Sequence, residues 1–334
     1  MPVIGVIELA FDPYVQLGEL AIRWQTIGLT AAIVVGLGFV ALVDGYLGGD
    51  GRERAPTTAE PALERPTPER PTLERPTPEA AGRTSSSPGA RLRLDDLGYI
   101  VLGAVPGAVI GGRLVHGLSL WEAYAANPLS LFDPAVGTLS LLGAVIGGAI
   151  SAAYVARVVG APIRRWADAA ALPLLLTLAL GKLAQLLGGS GQGAPWDGPW
   201  AIAFVGAGPW ISPSPEVAAH PAQVYEALWV FGGLPLLVRW LGPRRATESP
   251  VGSVFTRLRE RERGGRLFGA AIGWFVLGRF VVGFSWRDDA TLGPLNAEQA
   301  VSLVVLVGGA IGAFLLRGSI VGRDTAMKPR EPAP

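Results

Sequence analysis

The chain has 334 residues, of which half are hydrophobic and 16% charged, with a formal net charge of +1; soluble domains carry about 25% charged residues. The absence of cysteine excludes disulfides, thiolate metal sites and a cysteine nucleophile. Two histidines, His116 and His220, argue against a multi-histidine metal centre. No basic block alternates with aromatics, so nucleic acid is not an expected partner, and no cofactor is expected. Several apolar runs reach the roughly 20 residues that cross a bilayer, so the composition predicts an all-α, multi-pass membrane protein of about seven transmembrane helices.

Residues 1–49 comprise a short lead and a first helix over 20–43, from Leu20 to Val43. The lead lacks the basic stretch and small-residue cleavage site of a signal peptide, so the first helix is expected to be retained. Residues 50–93 are rich in Pro, Glu, Arg and Thr, with Pro61, Pro66, Pro71 and Pro76 in a five-residue period. Such a segment buries too little apolar surface to fold and predicts a disordered linker. A body of six helices follows over 94–318, at 95–118, 136–158, 168–188, 221–241, 267–286 and 297–317, and 319–334 is a tail. Gly103, Gly107 and Gly111, and likewise Gly143 and Gly147, recur every four residues, a spacing that lets helix backbones approach closely.

Lys and Arg set the expected topology. Arginines crowd 52–93, 157–165 and 244–266, and Arg323, Lys328 and Arg330 mark the tail, whereas 119–135 and 189–219 hold no Lys or Arg. The positive-inside rule puts the N-terminus outside, the linker and C-terminus in the cytoplasm, and the 189–220 loop outside.

The stretch Gly181–Glu226 is where polar residues meet apolar helices. Lys182 and Gln185 share a helix face, as do Arg113 and His116, and Arg279 is apolar on both sides. A cation at such depth pairs with an acid or meets a ligand's negative charge. Glu226 is the evident acid. An ion pair of Lys182 or Arg279 with Glu226 and a phosphate site facing the outer leaflet are both consistent with the pattern. His220-Pro-Ala-Gln reads as a helix start, with Pro221 in the first turn and Gln223 placed to reach back as in a capping box. Tyr225, Trp196, Trp200 and Trp210 suit a membrane interface.

At these residues the chain resembles the prolipoprotein diacylglyceryl transferase family. HPAQVYEA is similar to its H-P-x-Q-L-Y-E element. GKLAQLLGGSGQGAPW resembles its G-R-x-x-N-F-x-N-x-E-x-x-G signature, and GRFVVGFSWRDD followed by NAEQAVSL resembles its R-F-x-x-E-x-x-R segment and Q-x-x-S helix. IRWQTIGL and GGRLVHGL through AVIGG resemble its earlier helices. The chain departs from the pattern at Lys182, where the signature has arginine, and at Gln185, Ser190, Gln25, Leu142 and Gly283.

The resemblance implies transfer of diacylglycerol from phosphatidylglycerol to the lipobox cysteine of a secreted precursor in the bacterial inner membrane, with glycerol phosphate leaving. It implies Lys182 and Arg279 at the phosphate, Arg113 as a third cation, and Gln185, Gly193, Gln223 and Tyr225 around the substrate. His220 or Glu226 would handle the proton. A catalytically degenerate homologue that binds lipid or precursor without transfer is the alternative. A solute transporter finds little support, because no inverted repeat is visible.

Overall fold

The computed structural model describes residues 5–48, 94–132, 139–242, 254, 258 and 264–326. The linker expected over 50–93 and most of the arginine-rich 244–266 segment lie outside the described residues, as does the predicted start of the third helix at 136. The elements are β1 (Ile7–Leu9), β2 (Tyr14–Leu17), β3 (Leu20–Arg23), α1 (Trp24–Gly48), α2 (Leu94–Ser119), α3 (Trp121–Ala126), α4 (Leu141–Val158) and α5 (Ile163–Leu186). After them come β4 (Ile202–Phe204), α6 (Ala222–Trp240), α7 (Arg266–Val282) and α8 (Ala297–Ala326).

Six helices among the described residues are long and apolar enough to cross a membrane, over Trp24–Leu42, Asp95–Ser119, Leu141–Val158, Ile163–Leu186, Arg266–Ser285 and Ala297–Leu315. The expected helix over 221–241 exists as α6, but Gln223, Tyr225, Glu226 and Arg239 keep its composition below that of the six. Three further differences correct the sequence reading. The residues Leu20–Arg23 are not helical; they turn back at Gly18, whose φ is +65°, and pair antiparallel with β2, Tyr14 opposite Arg23. A second short sheet pairs β1 with β4 in parallel, so the helical body carries a small strand-built cap. The last helix continues to Ala326, into the stretch expected to be a tail.

The glycine seam packs as its spacing predicts. A Cβ on Gly111 would lie 2.3 Å from the carbonyl oxygen of Gly143, and one on Gly147 would lie 2.1 Å from that of Gly107. Ser151 Oγ donates to the Gly103 carbonyl across the same contact at 2.6 Å. Beside this α2–α4 pair, α5 packs on α1, α6 and α7. Leu142, Leu172, Leu175, Val230, Phe275 and Val276 form the dry centre. Leu102 and Val105 of α2, and Val304 and Phe314 of α8, are exposed, the distribution expected of helices solvated by lipid.

Two polar devices fix α7. Asp168, on the first turns of α5 and buried, accepts from the backbone N–H groups of Gly265 (3.0 Å), Leu267 (2.9 Å) and Phe268 (3.4 Å). It thus satisfies donors that the helix start leaves open. Asp168→Ala is expected to cost about 1–3 kcal/mol, the penalty of orphaning buried donors, read as a lower midpoint of thermal unfolding in detergent. Further along, the Trp229 and Trp274 indoles stack at 4.9 Å. Each donates its N–H to the other's backbone carbonyl, at 3.0 and 2.8 Å, which zips α6 to α7 and puts Glu226 within reach of Arg279.

Candidate functional site

The helix ends that gather beneath the strand cap hold a buried chain of charges. Lys182 Nζ of α5 lies 2.6 Å from Glu226 Oε2 of α6. Arg279 of α7 is ion-paired through Nη1 to Glu226 Oε1 and through Nη2 to Glu298 Oε2 of α8. Ser140 Oγ, at the start of α4, donates to Glu298 Oε1 at 2.5 Å. Two cations and two carboxylates therefore cancel, as a cluster taken out of water requires. Lys182 and Glu226 are each 2% exposed, Arg279 7% and Glu298 14%. Trp286 closes one side. Its Nε1 donates to Glu226 Oε1 at 3.1 Å, and its ring faces Lys182 Nζ at 4.9 Å and Arg279 Cζ at 5.0 Å.

Both sequence-predicted pairs with Glu226 are present, and Glu298 and Ser140 extend them. Sequence reasoning missed these two. Glu298 sits in Asn296-Ala-Glu-Gln299, where Asn296 and Gln299 cap reciprocally: the Gln299 N–H donates to Asn296 Oδ1 at 2.8 Å and the Asn296 N–H to Gln299 Oε1 at 3.0 Å. That capping box was the available signal, because it starts α8 with Glu298 inside the first turn.

His220 and Tyr225 belong to an adjoining aromatic group. Trp196 stacks on the His220 ring at 4.4 Å and 8°, and Trp200 lies 5.0 Å from Trp196. Trp200 Nε1 donates to the Tyr225 hydroxyl at 2.6 Å, and that hydroxyl lies 3.2 Å from His220 Nδ1. Gly193 threads between these parts. Its N–H donates to the His220 carbonyl at 2.8 Å and its carbonyl accepts from Arg287 Nε at 3.2 Å. A Cβ there would sit 2.3 Å from the Ser285 carbonyl oxygen and 2.7 Å from that of His220, so no larger residue fits.

The amides sit differently from expectation. Gln223 does not cap α6; it is fully buried, and neither its Oε1 nor its Nε2 has a hydrogen-bond partner among the described residues. The reason is its face: Gln223 lies three residues before Glu226 and turns inward with it. Gln185 Oε1 and Gln25 Oε1 are likewise buried without a partner. Gln25 fills the space over Gly188, where a Cβ would lie 2.0 Å from its Oε1. Arg113 and His116 stand on α2, which packs on α4 and α8, and the His116 ring meets Tyr124 of α3 edge-on, centroids 6.0 Å apart. Asp288, between α7 and α8, acts electrostatically on His116, Lys182 and Arg279.

The model of the prolipoprotein diacylglyceryl transferase family matches residues 80–315. The chain belongs to this family. It is similar to the phosphatidylglycerol–prolipoprotein diacylglyceryl transferase of Geobacter sulfurreducens, at 32% identity over 250 residues, covering 73% of this chain and 85% of that protein. The protein of the same name from Clostridioides difficile is 26% identical over 225 residues, covering 67% and 80%. That of Corynebacterium glutamicum strain ATCC 13032 is 31% identical over 236 residues, covering 66% and 69%.

Membership in the diacylglyceryl transferase family gives the departures a physical context. Lys182 is not stranded, since it meets Glu226. Gly283, placed by the resemblance where the family motif has glutamate, is filled from the side: a Cβ there would lie 2.5 Å from Gln299 Cγ. The second carboxylate on Arg279 comes from α8 instead. Leu142, another departure, lies fully buried in the apolar core.

Proposed function

We infer that this chain transfers diacylglycerol from phosphatidylglycerol to the lipobox cysteine of secreted precursors, in the bacterial inner membrane. The observation that carries the reading is the pair of buried cations, Lys182 and Arg279, held on either side of Glu226 in a chain of this family. Phosphodiester cleavage places growing negative charge on the departing glycerol phosphate. Fixed cations in a water-poor site stabilise that charge far more than water does. Lys182 and Arg279 take the phosphate, with Arg113 as a third cation from α2. The unpartnered Oε1 of Gln185 and the unpartnered amide of Gln223 offer hydrogen bonds to the polar head group. His220 and Tyr225 form the wall by which substrate enters, and Gly193 keeps that passage open. Glu226 aligns both cations; with Lys182, Arg279 and Trp286 on it, its oxygens are already committed.

On this reading the chain crosses the membrane seven times, with the 189–220 loop outside and the C-terminus in the cytoplasm. Support comes from α6. It starts beside Gly193 at the site end, whereas α7 starts beside Asp168, near the beginning of α5, at the opposite end. This supports α6 as a crossing alongside its neighbours. The Lys- and Arg-free loops lie on the site's side.

The test is complementation. Expressed in a bacterium depleted of its own transferase, the protein is expected to shift a reporter lipoprotein on a gel and to incorporate labelled acyl chains. Good expression in the membrane without lipidation would mean a degenerate homologue and end this reading.

A further inference from the structure

We propose that Glu298 is both the stand-in for substrate phosphate on Arg279 and the acceptor of the thiol proton once phosphate has replaced it. The proposal rests on the transfer reaction inferred above. Arg279 presents one nitrogen to Glu226 and one to Glu298, so a phosphate that engages the guanidinium must exchange with one of them. The two carboxylates are not equally held. Glu226 is bound by Lys182, Arg279 and the Trp286 N–H. Among the described residues Glu298 has one cation and the neutral Ser140 hydroxyl, and at 14% it is the most exposed of the four charged groups. It is the one that gives way.

The exchange arms the site. A carboxylate parted from its counter-ion in a water-poor pocket is a stronger base than one paired with arginine. The Ser140 hydrogen bond and the Asn296–Gln299 capping box keep Glu298 in place once it is released. The cysteine thiol gives its proton to Glu298 as sulfur attacks the terminal glycerol carbon of the diacylglycerol. The S–C bond forms, and the C–O bond to phosphorus-bound oxygen breaks with its electron pair on that oxygen. The proton then passes from Glu298 to the leaving glycerol phosphate, whose departure lets the carboxylate return to Arg279. Binding of phosphate thus precedes deprotonation, and the thiolate is generated only beside a bound lipid.

The experiment compares full-length wild type, Glu298→Gln and Glu298→Asp in vesicles of phosphatidylglycerol and phosphatidylcholine, with a synthetic lipobox peptide as acceptor. Arg279 faces Glu298, with Glu226 and Lys182 behind it; α2, which packs on α8, carries His116 and Arg113, and Asp288 acts on Arg279 and Lys182; the variants leave all of these unchanged. Glu298→Gln is expected to lower kcat at neutral pH by about 10²–10⁴-fold, the usual range for a lost proton acceptor. Its KM for phosphatidylglycerol is expected to stay the same or fall. The deficit should narrow as pH rises toward the thiol's own value near about 8.5, where thiolate forms without help. Glu298→Asp, which keeps the carboxylate, should retain part of kcat. A Glu298→Gln rate within about threefold of wild type, or a loss borne by KM and unchanged by pH, overturns the proposal. The same result with active wild type leaves the transfer reading standing; inactive wild type removes both.

Discussion

Replacing Arg279 with methionine is expected to abolish transfer and to destabilise the detergent-solubilised protein more than any other single change in the cluster. Among the described residues, Arg279 is the one that meets both buried carboxylates, Glu226 on α6 and Glu298 on α8. Without it, Lys182 still offsets Glu226, but among the described residues Glu298 keeps a serine hydroxyl and no cation partner. An uncompensated buried charge costs about 3–5 kcal/mol, which exceeds the cap penalty expected at Asp168. The site also loses the planar fork that Arg279 presents to the phosphate, and lysine does not replace it, because an ammonium presents a single point rather than two parallel edges. Adding Glu298→Gln to Arg279→Met should recover much of the thermal midpoint and none of the activity. That divergence separates the two roles: stability follows charge balance, whereas transfer follows the cation itself. A variant Arg279→Met that melts with wild type would show that the buried pairs contribute nothing to the fold.

The spans were legible because lipid imposes length and composition on each helix separately, and α1 or α7 announces itself without reference to any neighbour. The seam of Gly107, Gly111, Gly143 and Gly147 was legible for the same reason, spacing being a local property. The strand cap was not. Leu20–Arg23 is as apolar as a helix start, and only the positive φ at Gly18 with pairing to Tyr14–Leu17 turns it into a hairpin. At the site, Lys182, Glu226 and Arg279 stood out as charges within apolar runs. Glu298 did not, because acids are ordinary in the first turn of a helix. Its meaning depends on α7 and α8 lying side by side, which residue spacing does not encode. Gln223 shows the converse error. Local pattern favoured a cap, but the inward face shared with Glu226 decided where the amide went.

The Lys182–Glu226 pair is expected to behave as one unit in stability and as two in catalysis. Glu226→Gln should cost more than Lys182→Met. It leaves Lys182 without a carboxylate, whereas removing Lys182 leaves Glu226 still held by Arg279 and Trp286. The double variant is neutral again and keeps the Arg279–Glu298 pair. Its loss should fall short of the sum of the singles by about 0.5–3 kcal/mol, the coupling of residues in direct contact. Transfer should respond otherwise. Lys182→Met is expected to lower kcat by about 10²–10³-fold, as for removal of one group that stabilises developing charge, and restoring charge balance with Glu226→Gln should not bring it back. Lys182→Arg keeps the charge and adds a second donor edge toward phosphate, so it should transfer at least as fast as wild type. Thermal melts of the four proteins of the cycle, with initial rates on the same preparations, give both readouts. Additive stability losses would mean that Lys182 and Glu226 do not interact, and a dead Lys182→Arg would mean that Lys182 does not face the phosphate.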